Sequence, residues 1–126
     1  MKIELDSQDS SINTIKSYSS DGVMIKNTLY KGNIIVSPSL IIEDWKAEDI
    51  NNIDLDHLNV IFETQPELVL FGTGNNLIFP QNDILDSIRL RRIGVEVMDT
   101  GAACRAYNFI AAEGRLVTAI LFKPEN

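Results

Sequence analysis

The chain has one cysteine and one histidine in 126 residues, and each scarcity closes off chemistry. Cys104 alone cannot staple the fold with an internal disulfide, and a small secreted domain would carry paired cysteines, so the expected setting is the reducing cytoplasm. Cys104 and His57 together are too few for a Cys/His zinc site, which takes four ligands. Glu96, Asp99 and Glu113 follow no carboxylate ligand spacing; no metal and no cofactor are expected. Long apolar runs are missing too, since no stretch reaches the roughly 18 residues of a membrane span. The opening MKIELDSQDSS has three acids and no apolar run, unlike a secretory signal or an Arg-rich transit peptide. These features predict a cytoplasmic protein without membrane insertion.

Basic charge is also in short supply: 11 Lys and Arg stand against 18 Asp and Glu, a net charge of −7. Residues 1–67 hold 12 acids and 5 lysines, whereas residues 68–126 are balanced. A nucleic-acid partner normally needs a basic stripe that neutralises several phosphates. Only Arg89, Arg91 and Arg92 cluster here, and they fall where a helix ends and its dipole favours cations. Nucleic acid is therefore not an expected partner. What is present is an ordinary globular mixture, 44% hydrophobic and 23% charged. The length suits one domain that buries about two-thirds of its surface. Residues 1–11 read as a flexible polar N-terminus and residues 12–126 as a single domain.

The first third reads as a β-rich meander. Thr14 to Tyr18, Gly22 to Lys26 and Thr28 to Tyr30 form short strands around the Ser20-Asp21-Gly22 turn signal, and Ile34 to Ser37 and Leu40 to Ile42 add β-branched runs. A helix is expected from Asp54, as cap, to Glu63, with Leu55, Leu58, Ile61 and Phe62 as its apolar stripe and His57 off it, on the surface. Trp45, the sole indole, is expected either under the first β layer or as an exposed anchor for a partner. Leu68 to Phe71 is a continuous apolar run, as in a strand buried on both faces. Pro80 suits the first turn of a helix to about Leu90; Ile93 to Met98 reads as a strand, residues 101–112 as a helix stopped at Gly114, and Arg115 to Phe122 as a last strand. Strands alternating with helices over residues 68–122 indicate parallel crossovers, hence an α/β fold.

Two motifs mark the candidate site. Gly72-Thr73-Gly74 follows a buried strand, where backbone N–H groups can face an anion. It lacks the Gly-Lys-Ser/Thr ending of a P-loop, and Leu77 stands where a dinucleotide fingerprint needs a third small residue. Tight-turn geometry by itself explains the glycines. The second motif runs from Met98 to Gly114, with Thr100 as the expected N-cap and Gly101 permitting close approach. Arg105 near the helix start and Glu113 near its end both oppose the dipole, so Asp99 and Arg115 are their expected partners. Gly101, Arg105 and Asn108 share one helix face, available either to structural pairs or to an anionic ligand. Cys104 is either a small buried thiol or a helix-activated thiolate. The candidate ligand-binding or interaction set is therefore Gly72, Thr73, Gly74, Asp99, Thr100, Gly101, Arg105 and Asn108. No set of residues supports catalysis.

Taken together, the segment from Leu68 to Gly74, Phe79-Pro80, Gly94 to Thr100, Ala103-Cys104-Arg105, Tyr107-Asn108 and Glu113-Gly114-Arg115 resembles a widespread family of small uncharacterised proteins. That family includes mitochondrial respiratory complex I assembly factor three and the adipogenesis-associated Mth-type domain proteins. The resemblance implies a three-layer fold, with a central mixed sheet flanked by helices and an additional small β layer. It implies an interaction or assembly module whose partner is a protein, a respiratory complex subunit in the mitochondrial member, and a homo-oligomer is also expected. The alternative is a small anionic ligand, bound or acted on in the cleft between Gly72-Thr73-Gly74 and the helix start at Thr100.

Overall fold

A computed structural model describes residues 11–124. The expected flexible N-terminus therefore lies, apart from Ser11, outside the described residues. Eight strands and three helices follow in chain order: β1 (Ile15–Ser19), β2 (Gly22–Ile25), β3 (Thr28–Tyr30), β4 (Ile34–Val36), β5 (Ile41–Ile42), α1 (Asn59–Glu63), β6 (Leu68–Thr73), α2 (Asn82–Arg89), β7 (Gly94–Met98), α3 (Thr100–Ala112) and β8 (Val117–Phe122). Two short 3-10 turns, Ile50–Asn52 and Leu55–Leu58, precede α1.

Strands β1, β2 and β3 form an antiparallel sheet, and the other five form a mixed sheet in the order β5-β4-β8-β6-β7. β6 is parallel to both β7 and β8, while β4 is antiparallel to β8. Between β6 and β7 the chain steps outward through α2, and between β7 and β8 it steps back across β6 through α3. Crossovers in opposite directions keep one hand only if their helices lie on opposite faces. The two cores reflect that division.

Alternation along the central strands supplies both faces, because successive strand side chains point oppositely. Val69, Phe71, Ile120 and Phe122 enter one core with Ile84, Leu85 and Ile88 of α2, Leu58 and Ile61 around α1, and Trp45. Leu70, Val117, Ala119 and Leu121 enter the other with Ala103, Cys104, Tyr107 and Ala111 of α3 and Ile15, Val23 and Ile25 of the small sheet. All six residues of β8 are buried.

Several local expectations shift. The segment after Asp54 opens as a 3-10 turn before α1, and Leu55 is 51% exposed, so it leaves the predicted stripe. His57 is not a free surface residue. Its Nδ1 accepts the Asp54 N–H at 3.0 Å, and its ring stands edge-on to Trp45, whose indole Nε1 donates to the His57 carbonyl. Trp45 is buried, but against Phe122 on the α2 side of the large sheet and not under the small one. Pro80 is buried ahead of α2, which is capped at Gln81. Among the arginines, Arg89 pairs with Asp86 at 3.6 Å and Arg91 lies over the Phe62 ring at 3.8 Å.

One close approach between layers is at Gly72. A Cβ there would meet Thr100 Cα and Ala103 Cβ at 3.0 Å and Leu121 Cδ2 at 3.1 Å, so α3 rests directly on the β6 backbone. Gly72→Ala should therefore destabilise the fold by about 1–3 kcal/mol, as overpacking does. Urea denaturation would detect it as a lower midpoint at an unchanged slope; an unshifted midpoint would show that α3 is free to move away.

Candidate functional site

The Gly72-Thr73-Gly74 turn and the opening of α3 do adjoin, and Thr100 joins them. Its side chain is completely buried, and its hydroxyl donates to the Phe122 carbonyl at 2.6 Å while accepting the Gly74 N–H at 2.8 Å. The Thr100 N–H returns a bond to the Gly74 carbonyl at 2.9 Å. One residue thus ties the carboxyl ends of β6 and β8 to the start of α3. Gly74 has φ +87°, which favours glycine at this corner.

The helix cap is one residue earlier than expected. Asp99 is the N-cap, its carboxylate accepting the Ala102 N–H at 2.8 Å, which frees the Thr100 hydroxyl for its bridging role. The anticipated pairing of Arg105 with Asp99 gives way to a different bond, from the Arg105 guanidinium to the Tyr18 hydroxyl at 2.6 Å. The Tyr18 ring lies on Gly101, where an added Cβ would come within 2.8 Å of the phenol oxygen. Asn108 clamps the backbone of β1, accepting the Ile15 N–H at 2.9 Å and donating to the Ile15 carbonyl at 2.7 Å. Gly101, Arg105 and Asn108 therefore do share a face, and that face receives β1. Arg115 pairs with Glu67 at 3.4 Å rather than with Glu113, joining the starts of β6 and β8.

These bonds bear on the small-anion reading. The Gly74 and Ala102 amides are already taken, and Asp99 places a carboxylate in the lining of a recess of about 290 Å³ that it shares with Tyr18, Gly74, Gly101 and Arg105. An anion entering there would meet like charge at the helix opening. The geometry does not support that reading.

Thr73 organises the other side of the turn. Its hydroxyl donates to the Asn76 carbonyl at 2.5 Å and accepts the Ile78 N–H at 3.2 Å, so the loop over residues 75–79 is pinned at its root. Beyond the pin, Leu77 and Phe79 are 56% and 61% exposed. Beside them opens a cleft of about 910 Å³ between Thr73–Ile78 and Lys46–Asn52, floored by Phe122. The sequence signal for this feature was the apolar Leu77-Ile78-Phe79 run, which the helix and strand templates leave unassigned.

The comparisons with known proteins agree with this architecture. Residues 15–122 match the family described as Protein of unknown function (DUF498/DUF598). The chain belongs to that family. It is 34% identical over 112 residues to human NADH dehydrogenase (ubiquinone) 1 alpha subcomplex assembly factor 3, an alignment covering 87% of this chain and 60% of the relative. The chain thus spans about three-fifths of the length of that assembly factor. It is also 33% identical over 93 residues to the 13 kDa major membrane protein of Francisella tularensis, covering 73% of this chain and 76% of the relative. In three dimensions it matches the solution structure of a Bordetella pertussis protein described as a Mth938-like domain, with a TM-score of 0.77, 22% identity, and coverage of 93% of this chain and 89% of that one. The fold is Mth938-like, a mixed α/β arrangement with a small β layer beside the main sheet.

Within this fold Cys104 is 2% exposed. Burial pushes its thiol up to about 12, outweighing the smaller downward pull of Arg105, while Asp99 pushes the same way as burial. Cys104 is accordingly an inert core thiol, not a helix-activated thiolate. Burial also raises the Tyr107 phenol, whose hydroxyl donates to the Asn13 carbonyl at 2.7 Å.

Two predictions follow from the Thr100 bridge and the buried thiol. Thr100→Val leaves the Gly74 N–H and the Phe122 carbonyl unpaired, at about 1–3 kcal/mol each. Thr100→Ser keeps both bonds and loses about 0.8 kcal/mol of methyl burial. Chemical denaturation should rank the three proteins wild type, Ser, Val; a Val variant as stable as wild type would remove Thr100 from its bridging role. Because the folded state holds the Cys104 and Tyr107 protons more tightly than the unfolded chain does, stability is complete below the free-thiol value of 9.0 and declines as pH rises towards about 12. Denaturation midpoints across that range should fall, and less steeply in Cys104→Ala.

Proposed function

We propose that this protein is a non-catalytic interaction module that assists assembly of a respiratory NADH dehydrogenase by holding one of its subunits. The observation that carries the proposal is the pinned loop that exposes Leu77 and Phe79 beside an open cleft. Large apolar side chains held rigid at a surface are what protein interfaces use as anchors, because little conformational freedom is lost on binding. The name of the human relative supplies the partner class.

In this reading the candidate residues act from behind the contact surface. Gly72, Thr73 and Gly74 set the root of the loop, Asp99, Thr100 and Gly101 fasten it to α3, and Arg105 and Asn108 hold β1 against the same helix. The reading places the protein in the reducing cytoplasm, associating with a membrane complex without inserting into it. It is supported there by the lone buried thiol and by the finding that, among the described residues, no helix is long and apolar enough to cross a membrane.

The test is recovery of tagged chain from its own cells. Wild type should co-purify an NADH dehydrogenase subunit from the soluble fraction. The Leu77→Ser/Phe79→Ser double variant, checked for an unchanged melting curve, should bind it roughly thirtyfold more weakly, the effect of losing about 2 kcal/mol of anchor contact. Failure of wild type to recover any such subunit sinks the partner, and equal recovery by both proteins sinks the surface.

A further inference from the structure

The two ends of the five-stranded sheet are unlike. β5 closes one end with two residues, whereas β7 closes the other with five, and among the described residues no strand lies on its outer side. Natural sheets shield long edges with proline, bulges or inward charges. β7 has no proline, runs against β6 in unbroken register from Gly94 to Met98, and carries a single charge, Glu96.

The register identifies which backbone groups face outward. The Gly94 N–H donates to the Glu67 carbonyl at 3.0 Å, and alternate residues of a parallel strand bond to the same neighbour. Gly94, Glu96 and Met98 are thus turned toward β6. Val95 and Val97 present their N–H and C=O groups to the open edge. Their side chains are only partly buried against the α2-side core, so that core continues to the margin of the sheet.

Charge along this edge is polar in direction. Arg91 and Arg92 precede β7, and Glu96 and Asp99 lie in it and just past it. An antiparallel copy of the same strand would set basic beginnings beside acidic ends. Centred on Val95, the two-fold pairing sets Glu96 opposite Gly94 and brings the Arg91-Arg92 turn of one copy toward the Asp99 end of the other. No like charges then face each other within the strand, and the partly buried Val95 side chains of the two copies meet. A register centred on Glu96 would oppose two carboxylates and is disfavoured.

We propose that β7 is a self-association edge, through which two copies of this chain pair antiparallel about Val95 to form one continuous ten-stranded sheet. The pairing is isologous, so it closes at two copies and does not propagate. It uses the edge of the sheet and does not depend on the subunit-holding role of the loop around Leu77 and Phe79.

Sedimentation of the full chain tests it. Wild type should approach twice the 14.1 kDa chain mass as concentration rises, and added salt should shift it toward monomer. Val95→Pro removes an N–H that faces outward, a position where an edge strand tolerates proline. That variant should keep the wild-type circular dichroism and remain monomeric, and Arg91→Glu should weaken the dimer. Amide hydrogen exchange in wild type gives a second reading that needs no variant: protection of Val95 and Val97 should rise with protein concentration. A wild type that stays monomeric with both amides exchanging freely would overturn self-pairing and leave the edge to a strand from another protein. Protection in a monomer, independent of concentration, would assign the edge to another segment of this chain. A dimer unchanged by Val95→Pro would place the interface elsewhere.

Discussion

The structure depends on the burial of β6 and β8 on both faces. A parallel pair made of Leu68 to Phe71 and Val117 to Phe122 has no side to turn toward water, so two separate layers must cover it. α2 and the turns around α1 supply one, and α3 together with the small β1-β2-β3 sheet supplies the other. The order of elements then follows: crossovers leaving β6 in one direction and returning past it in the other must use opposite faces to keep one hand. Strands β1 to β3 are the remainder of the second covering layer, packed beside α3, while β4 and β5 extend the large sheet itself.

Holding that layer in place is a polar task as much as an apolar one. Asn108 takes both hydrogen-bonding groups of Ile15, Tyr107 reaches the Asn13 carbonyl, and Arg105 meets the Tyr18 hydroxyl, so one helix face is a docking strip for β1. At the other end of α3 the buried Thr100 hydroxyl satisfies one donor and one acceptor at the ends of two strands. Buried backbone groups left unpaired are costly, which is why a threonine, with both capacities and a small methyl, stands there. The Gly-Thr-Gly turn is held by the same logic, and Leu77 and Phe79 lie exposed just beyond it.

The candidate site was legible in outline only. Gly72, Gly74, Thr100 and Gly101 stood out because glycine and a capping hydroxyl at a strand end signal close approach, and the structure brings them together. The partners of their neighbours could not be read. Local electrostatics suggested Asp99 for Arg105 and Arg115 for Glu113, pairs near in sequence, whereas the structure pairs Arg105 with Tyr18 and Arg115 with Glu67, distant residues that the sheet places alongside. Likewise Trp45 reads as a core residue from its type, but which core it enters depends on the path of the chain between β5 and α1, where little periodicity is available.

Sequence alone determined the α/β class, the strands and crossovers of residues 68–122, and the family. Those features rest on local signals: apolar runs, period-two and period-3.6 patterns, glycine and capping residues, and a motif spread over the second half of the chain. Tertiary structure decided which helix covers which face, the mixed strand order with β8 inserted between β4 and β6, the role of Thr100 as a bridge and not a cap, and the exposure of Leu77, Phe79 and the β7 edge. Each of these depends on contacts between residues far apart in the chain, and no local pattern of side chains records which distant groups will be left in water once the others have been buried.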